Sequence, residues 1–195
     1  MKASLDKSKL VKAIYNEKRL TVVFSALFVL SLLPIFVIAF YSRPGVDDFK
    51  YGADTRIAYM TTHNIATVLA AAIETVIETY YAWQGTFSSV FLFSLQPGAF
   101  NEAFYPLTTF IMLSMLIGST VFLLQTVIVG ILGLDRKYVV LTGVPILFFC
   151  IQCLPLARHA FFWYNGSVHY TFFYSLMLFL LGLCIRLYRF QSVSQ

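Results

Sequence analysis

Long uncharged apolar stretches alternate with short polar segments along this chain, and their lengths predict helices that cross a membrane. The first stretch, Thr21 to Tyr41, contains no charged residue. Roughly 20 helical residues, at about 1.5 Å each, cover the ~30 Å core of a bilayer. Three further spans are predicted: Leu107 to Leu134, Val139 to Ala157, and a last one from near Val168 to Ile185. We therefore expect an all-α integral membrane protein with about four transmembrane helices.

The segment between the first and second spans, residues 42–106, is too long for a simple connector and too apolar for a solvated domain. Apolar residues recur at helical spacing from Ile65 to Tyr80, with Glu74 and Glu78 on another face. This pattern predicts an amphipathic helix from Asn64 to about Tyr81, lying at the membrane surface. Phe87 to Leu95 is too short to cross as a helix, and we expect it to be interfacial or re-entrant.

Three prolines within the predicted spans suggest irregular helices. Pro34 is expected to kink the first span, and Pro145 and Pro155 to bend the third. Such prolines are tolerated when neighbouring groups satisfy the carbonyls that they free.

Composition supports a single membrane domain and excludes a soluble one. The chain has 195 residues, of which 59% are hydrophobic and 12% charged, and its mean hydropathy is +0.77. Soluble domains carry roughly 25% charged residues. The net charge of +5 does not indicate a nucleic-acid partner, because the basic residues follow the membrane topology.

The charged residues predict the orientation of the chain. Ten of the fourteen basic residues fall in segments that the topology places on one side: Lys2, Lys7, Lys9, Lys12, Lys18, Arg19, Arg136, Lys137, Arg186 and Arg189. The positive-inside rule makes that side cytoplasmic. We thus expect a multi-pass protein of the cell membrane with a basic cytoplasmic segment (1–20), a first span (21–41), an extracytoplasmic loop (42–106), three further spans (107–185) and a cytoplasmic tail (186–195).

Two adjacent carboxylates, Asp47 and Asp48, follow the first span on its outward side and are the leading candidates for chemistry. They are either solvated charges that close a helix, or a partly desolvated general base, or ligands of a divalent cation. Arg56 is expected to converge on the same region. No metal site is predicted otherwise, since Cys150 and Cys153 lie inside a hydrophobic segment without a second ligand pair.

Arg158 and His159 follow the third span on the outward side. An arginine there is suited to a phosphate, and a histidine to a hydrogen bond or a proton, whereas a snorkelling arginine is the alternative. The connector Trp163 to Tyr170 then combines aromatic, small and polar residues, including His169. Trp83 belongs to a group of aromatic residues that form either an anchoring belt or a groove for a lipid or a sugar.

Three short motifs together resemble the GT-C superfamily of glycosyltransferases. They are Asp47-Asp48-Phe49, Tyr81-Ala82-Trp83-Gln84-Gly85-Thr86-Phe87 and Phe162-Trp163-Tyr164-Asn165-Gly166-Ser167-Val168-His169-Tyr170. More closely, they are similar to motifs of uncharacterised bacterial membrane proteins that are grouped with surface-polysaccharide glucosyltransferases. The resemblance runs from about Leu20 to Ile185. Thr86 departs from the pattern, because the second motif usually carries an arginine there.

The resemblance implies an enzyme that transfers a sugar from a polyprenyl-phosphate donor to a cell-surface glycan. Asp47 or Asp48 is then the general base that deprotonates the acceptor hydroxyl. Arg56, Trp83, Arg158, His159 and His169 are the expected substrate-binding residues, with no cofactor beyond the divalent cation considered above.

Proteins of that class generally have eight or more spans, so four lead us to expect its N-terminal part or a partner membrane chain that supplies the others. The alternatives are a non-catalytic membrane subunit that binds lipid-linked sugar or scaffolds a partner, and a small transporter. A transporter is the least supported of the three, since strongly polar residues inside the spans are limited to Gln125 and Gln152.

Overall fold

The computed structural model describes residues 16–193, so Lys2, Lys7, Lys9 and Lys12 of the predicted cytoplasmic segment lie outside the described residues. The described part is helical, with nine α-helices: α1 (Glu17–Ala39), α2 (Val46–Thr62), α3 (Ile65–Ala82), α4 (Phe87–Ser94), α5 (Pro97–Phe100), α6 (Leu107–Leu124), α7 (Arg136–Gln152), α8 (Tyr164–Ser167) and α9 (Phe173–Val193). A 3₁₀ turn (Glu102–Phe104) precedes α6. Three π-helical segments, Gln125–Ile131, Arg158–Phe162 and Val168–Phe172, lie between or next to the α-helices.

Four continuous helical runs among the described residues are long and apolar enough to cross a membrane: Glu17–Ala39, Ile65–Ala82, Glu102–Ile131 and Tyr164–Arg189. Three of them coincide with predicted spans. The fourth, Ile65–Ala82, is the helix that we expected at the membrane surface, with the predicted start at the capping residue Asn64. Its length and hydropathy are those of a span. Composition therefore does not distinguish a helix that lies on the membrane from one that crosses it. Its surface location stays a prediction.

The predicted third span, Val139 to Ala157, is not among the four candidate spans, and its end is also wrong. Helix α7 stops at Gln152 instead of Ala157 and has 17 residues. Pro155 explains the early end, because proline lacks the N–H that a helix needs and restricts the residue before it. The helix does continue through Pro145.

The last predicted span is also longer than expected at both ends. Its helical run begins at Tyr164, and α9 continues to Val193. Arg186 does not stop it, since arginine is a good helix former and can sit in the last turns of a membrane helix with its head group outside the apolar core.

The described residues form two compact units. The terminal unit contains residues 16–33, 119–154 and 178–193, and the central unit contains Pro34–Gly118 and Pro155–Met177. In the terminal unit, Gln152 Nε2 donates to the carbonyl oxygen of Ser31 over 2.8 Å. Phe122 and Phe179 pack with ring centroids 4.9 Å apart. These contacts hold α1 to α7 and α6 to α9.

The starts of α1 and α7 lie together at one end of the terminal unit. Lys137 Nζ is 2.5 Å from the carboxylate of Glu17 and 3.3 Å from that of Asp135. Two of the predicted basic clusters are therefore neighbours, as the charge pattern requires if they share a side of the membrane. The sidedness itself stays a prediction.

Helices α2, α3 and α4 pack against one another in the central unit and occupy most of the predicted outward loop. Helix α2 was not predicted as an element. Its buried face consists of Asp48, Tyr51, Gly52, Thr55 and Ala58, which recur at helical spacing. Thr55 Oγ1 donates to the carbonyl oxygen of Ser94 on α4 over 2.5 Å. His63, in the left-handed conformation with φ of 47°, turns the chain from α2 into α3.

Candidate functional site

Asp47 and Asp48 open α2; the interpretation that they close the first helix is wrong. Gly45 is the N-cap residue, so both aspartates lie in the first turn of α2. Carboxylates are favoured there because the first N–H groups and the helix dipole present positive charge. The Gly45 N–H donates to Asp48 Oδ2 over 2.8 Å and satisfies one of those exposed donors.

Asp48 is fully buried and accepts hydrogen bonds from three segments of the chain. Besides Gly45, the Tyr105 hydroxyl donates to its Oδ2 over 2.6 Å. The Asn165 N–H donates to its Oδ1 over 3.2 Å. The carbonyl oxygen of Asp48 in turn accepts from Gln96 Nε2. We call these five residues, Gly45, Asp48, Gln96, Tyr105 and Asn165, the Asp48 network.

Tyr105 links Asp48, at the start of α2, to Tyr164, at the start of α8. Its side chain is fully buried, and its hydroxyl oxygen accepts the Tyr164 N–H over 3.1 Å while the same hydroxyl donates to Asp48. Two links therefore join the first and third motifs, which are more than a hundred residues apart. One is the direct hydrogen bond from Asn165 to Asp48, and the other runs through Tyr105.

Burial raises the pKa of Asp48 above its ordinary value, and the negative charge of Asp47 adds to the increase. The hydrogen bonds from Tyr105, Gly45 and Asn165 oppose this shift, but desolvation is the largest effect. The carboxyl group has its polar neighbours already in place and no exposed surface. Its hydrogen bonds join the start of α2 to Tyr105 and to Asn165.

The raised pKa predicts how the stability of the fold depends on pH. A folded state that binds a proton more readily than the unfolded chain gains stability as pH falls through the raised pKa, and the gain is complete below the ordinary value of 3.8. The thermal midpoint of the wild type should therefore rise relative to that of Asp48→Asn between pH 7 and pH 4. Thermal unfolding in detergent at each pH measures this difference. A constant difference over that range contradicts the assignment.

Asp47 is exposed, whereas Asp48 is buried. The two adjacent carboxylates therefore do not form a pair facing one site. Among residues 16–193, no three His, Cys, Asp or Glu side chains come close enough together to hold a metal ion. The divalent-cation alternative thus has no cluster of such ligands in the part of the chain that is described.

The third motif owes its shape to close packing around Trp163. A Cβ atom placed on Gly166 would lie 2.5 Å from Trp163 Cε3, and one on Gly45 would lie 3.2 Å from Trp163 Cδ1 and Nε1. The indole thus lies against two glycines, Gly166 within the third motif and Gly45 two residues before the first. His159 also packs on this ring, with centroids 5.0 Å apart.

The predicted substrate-binding arginines differ in how they are engaged. Arg56 forms an ion pair with Glu102 over 2.9 Å and donates to the Gly98 carbonyl oxygen over 3.1 Å. It is therefore already partnered by a carboxylate. Arg158 is exposed and begins the π-helical segment Arg158–Phe162.

Trp83 and His169, also predicted to bind substrate, do not take part in the Asp48 network. Trp83 is 73% exposed, and the ammonium group of Lys50 lies 5.4 Å from the centroid of its ring. His169 packs edge to face on Phe93, with centroids 4.9 Å apart. Of the seven predicted site residues, only Asp48 belongs to the network.

A cavity of about 250 Å³ adjoins the network. Its lining includes Arg56 and Gln96 together with mainly apolar residues and glycine, and the buried Asp48 adjoins it. Gln96 Oε1 is buried without a hydrogen-bond partner among the described residues, and so are both polar side-chain atoms of Asn165. Unsatisfied buried polar atoms are uncommon and mark places where a ligand or water completes the hydrogen bonding.

Sequence reasoning missed Gln96 and Tyr105 as network members. A buried tyrosine needs a partner for its hydroxyl, and Pro106 fixes where α6 starts, but neither signal identifies a residue 57 positions away as that partner.

No protein-family model matches this chain, and neither a curated protein nor a solved structure matches it. The sequence motifs and the geometry described above are therefore the basis for any functional conclusion.

Proposed function

We propose that the chain is a membrane glycosyltransferase, or the N-terminal part of one, that uses a polyprenyl-phosphate-linked sugar. The observation that carries the proposal is the hydrogen bond from the Asn165 N–H to Asp48, which brings two motifs of the resemblance to one place in the central unit. The same unit also carries an exposed carboxylate, Asp47, and an exposed guanidinium, Arg158.

In this proposal the two aspartates have separate roles. Asp47 accepts the proton of the acceptor hydroxyl, since it is the exposed carboxylate. The hydroxyl oxygen then attacks the anomeric carbon, and the bond from that carbon to the lipid phosphate breaks with inversion. The phosphate leaves with the electron pair, and Arg158 balances its charge. Asp48 is a positioning residue that fixes the start of α2.

The size of the cavity beside Asp48 limits what it can take. Small-molecule pockets usually have volumes of roughly 300–1,000 Å³, so the cavity of about 250 Å³ suits a single sugar ring better than a whole lipid-linked donor. The partnerless oxygen of Gln96 offers an acceptor for a sugar hydroxyl there.

Replacing Asp47 tests the proposal directly. In the organism that encodes the chain, a deletion strain complemented with Asp47→Asn should lack the sugar modification of its surface glycan, because asparagine cannot accept the proton. The glycan is analysed by mass spectrometry, and immunoblotting of membranes shows that the variant protein accumulates. Asp54→Asn is the matched control, since Asp54 is an exposed carboxylate on the same helix, and it should complement fully.

A non-catalytic subunit that binds lipid-linked sugar is the second candidate. It is favoured by the ion pair between Arg56 and Glu102, which leaves this arginine less available to a phosphate. If Asp47→Asn restores the modification while the empty vector does not, this second function replaces the first. If the deletion leaves the glycan unchanged, both are wrong.

A further inference from the structure

Three arginines line one cavity in the terminal unit. The cavity has a volume of about 500 Å³, and Arg136, Arg186 and Arg189 lie in its wall. Arg136 begins α7, and the other two belong to the C-terminal part of α9. The π-helical segment Gln125–Ile131 forms another part of the wall.

The positive charge in this cavity has no acidic partner among residues 16–193. The nearby ion pairs are those of Lys137 with Glu17 and Asp135, and none of the three arginines is in an ion pair in the described part of the chain. Like charges brought together at the end of an apolar helix repel one another, so an anion that enters the cavity relieves that repulsion.

Arg186 is held in a defined orientation. Its Nε donates to Thr126 Oγ1 over 2.9 Å, and its guanidinium carbon lies 4.2 Å from the centroid of the Phe122 ring. This bond uses Nε, so the two terminal amino groups keep the fork geometry that binds phosphate oxygens in a bidentate manner. An arginine held in this way loses less conformational entropy when it binds an anion.

The π-helical segment brings the second arginine close to its backbone. A Cβ atom on Gly130 would lie 3.5 Å from the Arg189 guanidinium. Segments of π-helix occur frequently at functional sites, and here the segment lies beside Thr126, the partner of Arg186.

An apolar groove adjoins the basic cavity. It has a volume of about 650 Å³ and shares Ile131, Ile185 and Arg189 with the cavity wall. Cys184 and Tyr188 complete it. A cationic cavity that continues into an apolar groove, at the end of a candidate span, matches the shape and chemistry of a lipid with a charged head group.

We propose that this cavity binds the phosphate head group of an anionic phospholipid, with one acyl chain along the groove. Basic pockets between membrane helices bind anionic lipid head groups by this combination of charges and shape. The inference does not depend on the proposed transfer reaction, because it concerns residues of the terminal unit.

The proposal is tested with the purified full chain and lipids that differ in the head group alone. The protein in detergent is titrated with phosphatidylglycerol or with phosphatidylcholine of the same acyl chains, and bound lipid is counted by native mass spectrometry. We expect retention of phosphatidylglycerol at concentrations at which phosphatidylcholine is lost. A basic residue near an anionic lipid contributes about 1 kcal/mol to binding. Arg186→Gln and Arg189→Gln should therefore each lower the affinity for phosphatidylglycerol about five-fold, and the double variant about 25-fold.

Matched variants distinguish binding in this cavity from general attraction to positive surface charge. Arg19→Gln removes the same charge from an exposed position on α1 and should change the affinity less than two-fold. Arg186→Lys keeps the charge but loses the planar fork, and it should fall between the wild type and Arg186→Gln. If an Arg186 variant does not fold, Arg189→Gln decides the question alone, since no hydrogen bond within the described residues is lost with it.

Three results would overturn the proposal. One is equal retention of the two lipids, and another is a loss in Arg19→Gln as large as that in Arg189→Gln. The third is displacement of phosphatidylglycerol by millimolar inorganic phosphate, which would identify a site for free phosphate that does not use the groove. None of these results bears on the Asp47 test.

Discussion

Replacing Asp48 with alanine is expected to lower the free energy of unfolding by about 3 kcal/mol or more. The change leaves the Gly45 N–H, the Tyr105 hydroxyl and the Asn165 N–H buried without their acceptor. A buried donor that loses its partner costs about 1–3 kcal/mol, and bonds to a charged group are at the upper end. Thermal unfolding of the purified protein in detergent should show a large fall in the midpoint, together with reduced accumulation in membranes.

The neighbouring carboxylate is a close control for this prediction. Asp47→Ala removes the same chemical group one position earlier, but Asp47 is exposed. Exposed substitutions usually change stability by less than about 0.5 kcal/mol. Equal destabilisation by the two variants would show that the Asp48 network does not hold the central unit together.

Replacing Gly166 with alanine should cost about 2 to 3 kcal/mol of stability. The added methyl group would lie 2.5 Å from Trp163 Cε3 and 3.0 Å from the His159 carbonyl oxygen. The indole cannot move away easily, because its other edge lies against Gly45. Overpacking of this kind costs about 1–3 kcal/mol, and we expect the upper part of that range because a backbone atom is also in the way.

Gly118→Ala is the control for Gly166→Ala. The stability of both variants is measured by thermal unfolding, and the packing of the tryptophans by fluorescence in the same detergent. Gly118 lies inside α6, and a Cβ atom placed on it would have no other atom within 4 Å. Alanine is about 1 kcal/mol better than glycine in a helix, so this variant should be neutral or slightly stabilised. A Gly166→Ala protein with wild-type stability and an unchanged emission maximum would contradict the packing described for Trp163.

The fold was predictable where the residues of one helix are enough to determine it. The spans near Thr21 and Leu107 follow from uninterrupted apolar length, and the start of α3 follows from the capping residue Asn64. The end of α7 was missed because the effect of Pro155 reaches back along the chain. Helix α2 was missed because its apolar positions are diluted by Asp48, Gly52 and Thr55, which are buried for reasons that lie in other helices.

The candidate site was predictable only where it depends on residues close together in the sequence. The sequence identifies Asp48 as unusual, but its burial depends on Tyr105 and Asn165, which are distant along the chain. Whether a carboxylate is exposed or enclosed is decided by tertiary packing, and two adjacent residues on a helix face different directions. For this reason the adjacent carboxylates Asp47 and Asp48, which look like a pair in the sequence, differ in the structure: the first is exposed and the second is buried.

The distances along the chain within the Asp48 network also bear on how the protein is made. Its two distant hydrogen-bond donors come 57 and 117 residues after Asp48. At synthesis rates of about 5–20 residues per second, the second donor emerges on the order of ten seconds after the carboxylate. During that interval Asp48 is without the Asn165 N–H and has to stay hydrated, so the central unit closes only after the last helical run has begun to enter. A nascent chain halted before Asn165 should therefore present α2 in a form that proteases and chaperones recognise as unfinished.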